Sequence, residues 1–213
     1  GAQVCAFHPS ARQLPAETRR PVCVASEADG TFVIAGLAAA AHDVHASAEG
    51  FHPGALDEAI VVRARQRVDG LRFALVRGGA ALRVQVRDLH GGPIAGAWVT
   101  NWVGDREDRD RGAWTAGRSD AAGQVTLWVS PGIQRIEASA PGHAPARVEA
   151  DTSLAPTEVV LAPESTIAGV VLDEASRAHV PGARVEVREA LPVPDSAVAG
   201  VGYTDASGAF RVG

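Results

Sequence analysis

The chain has 213 residues, of which 46% are hydrophobic, and its 20 basic and 25 acidic residues give a net charge of −5. This length allows one or two domains with a proper core, and the acidic balance without a basic stripe excludes a typical nucleic-acid-binding protein. No apolar run approaches the roughly 20 residues of a membrane helix, so we expect no membrane insertion by this segment.

The chain repeats one pattern three times. The phrases "GAQV", "GAWV" and "GARV" begin at Gly1, Gly96 and Gly182. Turn glycines follow them in step at Gly30, Gly123 and Gly208. Self-similarity at a fixed spacing is the signature of a repeat architecture, so each cycle predicts one small domain.

Each turn glycine lies between an acidic residue and an alternating apolar run. The acids are Glu27, Asp120 and Asp205. Asp bonds its own backbone two residues on, and Gly accepts a positive φ, so this phrase predicts a hairpin turn followed by a core strand. Alternation in the second copy predicts an inward-facing set. Its members are Val99, Val125, Leu127, Val129 and Ile136.

Two short joints divide the chain into three predicted domains. The joints are "RGG" at Arg77–Gly79 and "APES" at Ala162–Ser165. They separate repeat 1 (1–78), which lacks its opening strand, from the complete repeat 2 (79–164) and from the front part of repeat 3 (165–213). We therefore predict an all-β chain of tandem small antiparallel β-sandwiches with incomplete first and last repeats, and we expect it to be a piece of a longer protein.

The phrases "GVVLDEASRAHVPGARVEV" and "GYTDASGAFRVG" of repeat 3 resemble a known family. They look like the carboxypeptidase regulatory-like domain, a small Ig-like sandwich of the transthyretin type. Repeat 2 follows the same pattern with Gln124–Val125 in place of its aromatic residue and Gly142–His143 in place of Gly-Tyr. The resemblance implies a tandem array from a large bacterial surface or secreted protein. In such proteins these domains serve as folding aids, spacers or contact modules and not as catalysts.

Candidate catalytic and metal sites are weak in this sequence. His42, His45 and His52 are near one another, but residues three apart on a strand point to opposite faces. The loop Gly104–Gly112 holds paired acids, but alternating Arg residues would oppose a bound cation. No nucleophile elbow is present. We expect no metal, no cofactor and no enzymatic activity.

The four tryptophans all fall in repeat 2. If Val99 and Val125 face the core, alternation places Trp98, Trp102 and Trp128 outward. Exposed aromatic rings stack on sugars and anchor protein interfaces, so these three form a candidate binding patch. Two structural alternatives stay open: burial by a neighbouring repeat, and coverage by Arg side chains through cation–π contact.

The only two cysteines, Cys5 and Cys23, fall in repeat 1. Relative to the repeat, they occupy places on consecutive strands, which lie about 5 Å apart and so within the reach of a disulfide. We predict a Cys5–Cys23 disulfide. The alternative is two unpaired, compact buried thiols, because a register slip of one residue would aim the sulfurs apart.

The function predicted from these features is structural. The chain is interpreted as a non-catalytic spacer and interaction array of a larger extracytoplasmic protein, whether cell-surface, secreted or periplasmic. Its expected partners are other domains of the same parent protein or another surface protein. The alternative is a glycan- or protein-binding module that uses the Trp-bearing face of repeat 2.

Overall fold

The structure is a computed structural model that describes residues 1–8, 20–102, 113–154, 156–188 and 198–212. The described residues form β-strands joined by turns, and they include no helix that is long and apolar enough to cross a bilayer. The predicted all-β class is therefore confirmed.

The described chain divides into two compact units. Residues 1–8 and 20–163 form the first unit, and the residues from 164 onward form the second. The first unit contains two separate hydrophobic cores, one in each of its two repeats. The predicted division at residues 78 and 79 falls between these cores, and it stays a prediction because the contacts group both repeats together.

Repeat 1 consists of one antiparallel sheet with further chain packed against it. Its strands are β1 (Gln3–Phe7), β2 (Val22–Ala25), β3 (Ala40–Ser47), β4 (Gly54–Ala55) and β5 (Ile60–Val62). The order is β2-β1-β3-β4, and β5 also pairs with β3. Val4, Ala6, Val44 and Ala46 face inward and form the centre of the core.

The described residues of repeat 2 form a two-sheet sandwich. Its strands are β6 (Ala80–Asp88), β7 (Trp98–Trp102), β8 (Ala116–Arg118), β9 (Gln124–Val129), β10 (Ile133–Ser139), β11 (Ala146–Asp151) and β12 (Thr157–Leu161). One sheet has the order β12-β6-β9 and the other β11-β10-β7-β8. The pair β6–β12 is parallel, and the other pairs are antiparallel. All five predicted inward residues are buried in the core between the sheets, as period-two alternation requires.

The second unit holds the described strands of repeat 3. They are β13 (Ile167–Val170), β14 (Arg184–Arg188), β15 (Val198–Tyr203) and β16 (Ala209–Val212). β13 pairs with β16 and β14 pairs with β15, both antiparallel.

The repeated turn has the same backbone hydrogen bonds in all three copies. In each, the amide of Glu27, Asp120 or Asp205 donates to the carbonyl four residues on. In repeats 2 and 3 the carboxylate of Asp120 or Asp205 also accepts amide hydrogens from the turn, and in repeat 1 Asp29 has this role instead of Glu27. The Ser207 hydroxyl and the turn amides hold the pKa of Asp205 below its usual value, which fits an ionised turn-forming carboxylate.

In repeats 2 and 3 a buried hydroxyl precedes the turn acid and ties two segments together. Ser119 Oγ accepts the Ala97 amide at 2.9 Å and donates to the Ile94 carbonyl at 2.7 Å. Thr204 makes the two equivalent bonds in repeat 3. This role was not predicted, although a hydroxyl residue stands before the acid in every copy, as Ser26 does in repeat 1.

Cys5 and Cys23 are joined by a disulfide. The two residues lie directly opposite each other on β1 and β2, with their Cα atoms 4.1 Å apart. Val4 and Ala6 face the core, so alternation places Cys5 on the outer face of the sheet. The structure therefore pairs the two cysteines in the register that the repeat alignment predicts.

The buried hydroxyl yields a stability prediction. We expect Ser119→Ala to lower the free energy of unfolding by about 1–3 kcal/mol, because it leaves a buried amide and a buried carbonyl without partners. Ser119→Thr is the matched control, since repeat 3 has Thr at this place, and we expect it to stay close to wild type. Urea denaturation followed by Trp fluorescence measures both. Equal stability of the Ala and Thr variants would contradict the prediction.

Candidate interaction surface

The outer face of the repeat 1 sheet is covered by repeat 2. Phe7, His45 and Ser47 lie on this face, on the opposite side of their strands from Val44 and Ala46. Residues of repeat 2 that precede β8 contact all three. We call this contact region the junction and define it by Phe7, His45, Ser47, Trp114 and Thr115.

Trp114 is the centre of the junction. Its ring lies 4.5 Å from the His45 ring, centroid to centroid, and 5.4 Å from the Phe7 ring in an edge-on arrangement. Its backbone amide donates to His45 Nδ1 at 3.2 Å. Edge-on and tilted aromatic pairs contribute roughly 0.5–1.5 kcal/mol beyond their burial, so this cluster stabilises the contact between the repeats.

A buried hydroxyl pair extends the junction beside the rings. Thr115 Oγ1 donates to Ser47 Oγ at 3.1 Å, and both residues are buried. The Thr115 amide donates to Asn101 Oδ1, and the Asn101 amide donates to the Thr115 carbonyl. Asn101 therefore holds the segment that carries Trp114 and Thr115 against its own sheet.

A second contact between the repeats lies at the chain connection. His52 Nδ1 is 3.1 Å from Ser130 Oγ of repeat 2. The Gly79 amide donates to the Gly50 carbonyl at 3.2 Å, and a Cβ on Gly79 would overlap the Phe51 carbonyl. Glycine at position 79 is thus required by close backbone approach, which explains the "RGG" joint.

His45 is buried at the junction and stays neutral. Burial lowers its pKa from the ordinary 6.5 to about 4. Because Nδ1 accepts the Trp114 amide, the ring proton of the neutral form is on Nε2. A proton added to Nδ1 would remove this hydrogen bond and place a charge in a desolvated site.

The three histidines considered for a metal do not converge. His42 Nε2 bonds the Ala38 carbonyl at 2.9 Å on the inner side of the sheet, whereas His45 faces the junction on the outer side and His52 contacts Ser130. Within the described ranges, no three His, Cys, Asp or Glu side chains are grouped to hold a metal ion. The acidic loop Gly104–Gly112 falls outside the described residues.

The predicted tryptophan patch is not assembled as one surface. Trp98 lies on β7 in one sheet of repeat 2, and Trp128 lies on β9 in the other. Both are half-buried and point outward, so they occupy opposite faces of the sandwich. Alternation shows which side chains point away from the core, but it does not show to which sheet their strand belongs. Arg118 covers the Trp98 ring at 5.6 Å, and the Trp102 side chain lies outside the described part of the structure.

Neither Trp114 nor His45 was predicted to lie in an interface. The residue types on the outer face of repeat 1 do indicate an interface. Its Cys5 stands where repeat 2 has Thr100, and His45 stands where repeat 2 has Glu137. Outward positions that are less polar or less charged than their counterparts indicate a covered face.

The buried His45 yields a pH prediction. The unfolded His45 binds a proton below pH 6.5, whereas the folded one stays neutral down to about pH 4, so acid favours unfolding. Between pH 7 and pH 4 we expect the wild type to lose about 3 kcal/mol of stability from this residue. His45→Asn keeps an acceptor for the Trp114 amide but does not titrate, so it should lack that loss.

Denaturant midpoints measured across this pH range test the His45 prediction. His90→Asn, at an exposed turn position, is the matched control, and we expect it to follow the wild type. Parallel pH curves for wild type and His45→Asn would contradict the assignment of a buried neutral imidazole.

Comparisons with known proteins give only distant similarity. No protein-family model and no curated protein matches the sequence, so membership of the carboxypeptidase regulatory-like family stays a prediction. Among solved structures, a streptococcal ancillary pilin is similar at 14% identity and a TM-score of 0.31, over 100% of this chain and 79% of the pilin chain. The Bacillus anthracis TIE protein is similar at 12% identity and a TM-score of 0.31, over 99% of this chain and 43% of its own. These scores are too low to transfer a function.

Proposed function

We propose that the chain is a non-catalytic structural array that holds parts of a larger extracytoplasmic protein at a fixed spacing. The observation that carries this proposal is the junction, in which repeat 2 packs directly on the outer face of the repeat 1 sheet through Trp114 and Thr115. The partners that fit this function are neighbouring domains of the same parent protein or another surface protein.

Rigidity follows from the arrangement of the contacts. Domains joined by a linker alone move relative to each other unless an apolar interface restrains them. Here the aromatic cluster around Trp114 and the backbone contact of Gly79 with Gly50 and Phe51 lie at different places in the chain. Two separated attachments oppose a hinge motion that either one alone would permit. A spacer needs this property because it must keep its ends at one distance.

The Cys5–Cys23 disulfide supports the extracytoplasmic part of the proposal. Disulfides persist in oxidising compartments and are rare where thiols are kept reduced. This one lies next to the junction, since Cys5 is directly opposite His45 in the ladder between β1 and β3. The bridge therefore also restrains the face on which repeat 2 packs.

Distance measurements between spin labels test the rigidity. With labels at Glu58→Cys and Arg83→Cys, both exposed, we expect one narrow distance distribution for the full chain. Trp114→Ala should broaden it because the ring cluster is lost. Trp128→Ala removes the same residue type from β9, in the other sheet of repeat 2, and is the matched control. A broad distribution in the wild type, or one that Trp114→Ala leaves unchanged, would contradict a rigid spacer.

Ligand binding through a tryptophan is the second candidate function. One observation favours it: Trp128 is half-buried on an outer face, and no described cation covers its ring. Calorimetric titration with soluble glycans, and pull-down with insoluble ones, separates the candidates. The spacer proposal predicts no heat and no retention. Saturable binding that Trp128→Ala abolishes would establish the binding module instead.

A further inference from the structure

The two attachments between repeats 1 and 2 both use an imidazole ring, but in different ways. At the junction, His45 Nδ1 accepts the Trp114 amide at 3.2 Å. At the chain connection, His52 Nδ1 lies 3.1 Å from Ser130 Oγ. A backbone amide can only donate a hydrogen bond, whereas a serine hydroxyl can donate or accept one. The contact at the junction therefore requires a neutral ring, and the contact at the chain connection does not.

A proton on His45 Nδ1 removes the acceptor that the Trp114 amide has among the described residues. Both nitrogens of an imidazolium are donors, so the ring and the amide would then face each other as two donors. The His45 residue is only 8% exposed and packs against the Trp114 ring, so the new charge is poorly hydrated. Separation of the two repeats relieves both penalties, because it returns the ring and the amide to water.

The described surroundings of His45 hold one ionisable group. The residues that face the ring are Cys5 of β1, Ala55 of β4, Asp43 and Ser47 of β3, and Trp114 and Thr115 of repeat 2. Asp43 is the ionisable one, because Cys5 is held in the disulfide. Within the described chain no ion pair joins Asp43 to His45, and burial is the cause of the lowered His45 pKa. The described neighbours therefore do not compensate a charge on this ring.

We infer that His45 makes the junction acid-sensitive: protonation of its ring releases the Trp114 segment from the outer face of repeat 1 while each repeat stays folded. Neither hydrophobic core includes His45 or Trp114, so separation opens no core. The chain connection at Gly78 and Gly79 remains as the hinge. The inference rests on the proposed spacer function, and it makes that spacer rigid at neutral pH and hinged in acid.

The direction of the effect follows from the state in which the ring binds a proton more easily. With the repeats packed together, the pKa of His45 is about 4, below the ordinary 6.5 of an exposed imidazole. The packed state is therefore favoured above pH 6.5 and loses this advantage as the pH falls toward 4. With these two values, the ratio of packed to separated molecules falls roughly 20-fold between pH 7 and pH 5, and roughly 100-fold by pH 4.

Hydrogen exchange at two neighbouring amides tests the inference. The Trp114 amide bonds to His45 across the junction, whereas the Thr115 amide bonds to Asn101 within repeat 2. From pH 7 to pH 5, we expect the protection of the Trp114 amide, corrected for its intrinsic exchange rate, to fall roughly 20-fold. The protection of the Thr115 amide should stay constant. An equal loss at both amides would mean that repeat 2 unfolds, and it would overturn the inference.

Two variants assign the response to one ring. His45→Asn keeps an acceptor for the Trp114 amide but does not titrate, so the protection of this amide should become independent of pH. His90→Asn, at an exposed turn position, is the matched control and should respond as the wild type does. A wild-type response of His45→Asn would contradict the inference. If His45→Asn fails to fold, the comparison of the Trp114 and Thr115 amides in the wild type still decides the question.

Spin-label distances separate a failure of this inference from a failure of the spacer proposal. With labels at Glu58→Cys and Arg83→Cys, a broad distribution at pH 7 would contradict the rigid spacer itself. A narrow distribution at pH 7, together with a Trp114 amide whose protection does not change with pH, would contradict the acid-sensitive junction alone. Greater protection of the Trp114 amide in acid would also contradict it, because the attraction between an imidazolium and the Trp114 ring would then tighten the contact.

Discussion

A sandwich of this type depends on its central strand, the one element that is hydrogen-bonded along both edges. In repeat 2 the inward side chains of β6 are among the most buried of the described chain, and its two flanking strands have no ladder with each other. Where β6 is present, both flanks are regular strands. Where no described residue takes its place, as in repeat 1, residues 31–37 and 71–76 pack on the core without forming a ladder. The alternating pattern is necessary for a strand, but it requires a partner edge.

The junction depends on residues that the repeats do not share. The turn acids, the turn glycines and the hydroxyl residues before the acids recur in every copy, where they form the same turn. Trp114, Phe7 and His45 stand at positions where the other copy has different residues, and they serve only the contact between the first two repeats. The residues that recur in the repeats therefore form each repeat, and the residues that differ between repeats form the contact between them.

The fold was largely predictable from the sequence, and the site was not. Period-two alternation and turn chemistry identify strands and their inward residues, because both are local properties of the chain. The disulfide was predictable for the same reason, since the repeat alignment places Cys5 and Cys23 on neighbouring strands. Trp98 and Trp128 point outward as predicted but lie on different sheets, because alternation does not say which sheet a strand joins, and a binding role for the tryptophans stays a prediction. Trp114 was missed because its partners Phe7 and His45 are distant in sequence, and no periodicity reports such a contact.

The identity of the residue at position 45 has a consequence for the order of the modules. The counterpart of His45 in repeat 2 is Glu137, which is ion-paired to Arg147 at 2.7 Å on its own sheet. A copy of repeat 2 inserted in place of repeat 1 would bring that carboxylate beneath Trp114, where burial penalises a charge. The residues on the outer face of a repeat thus determine which repeat can pack against it. A chimera with reordered or added repeats would need a neutral residue at this position for its repeats to pack together.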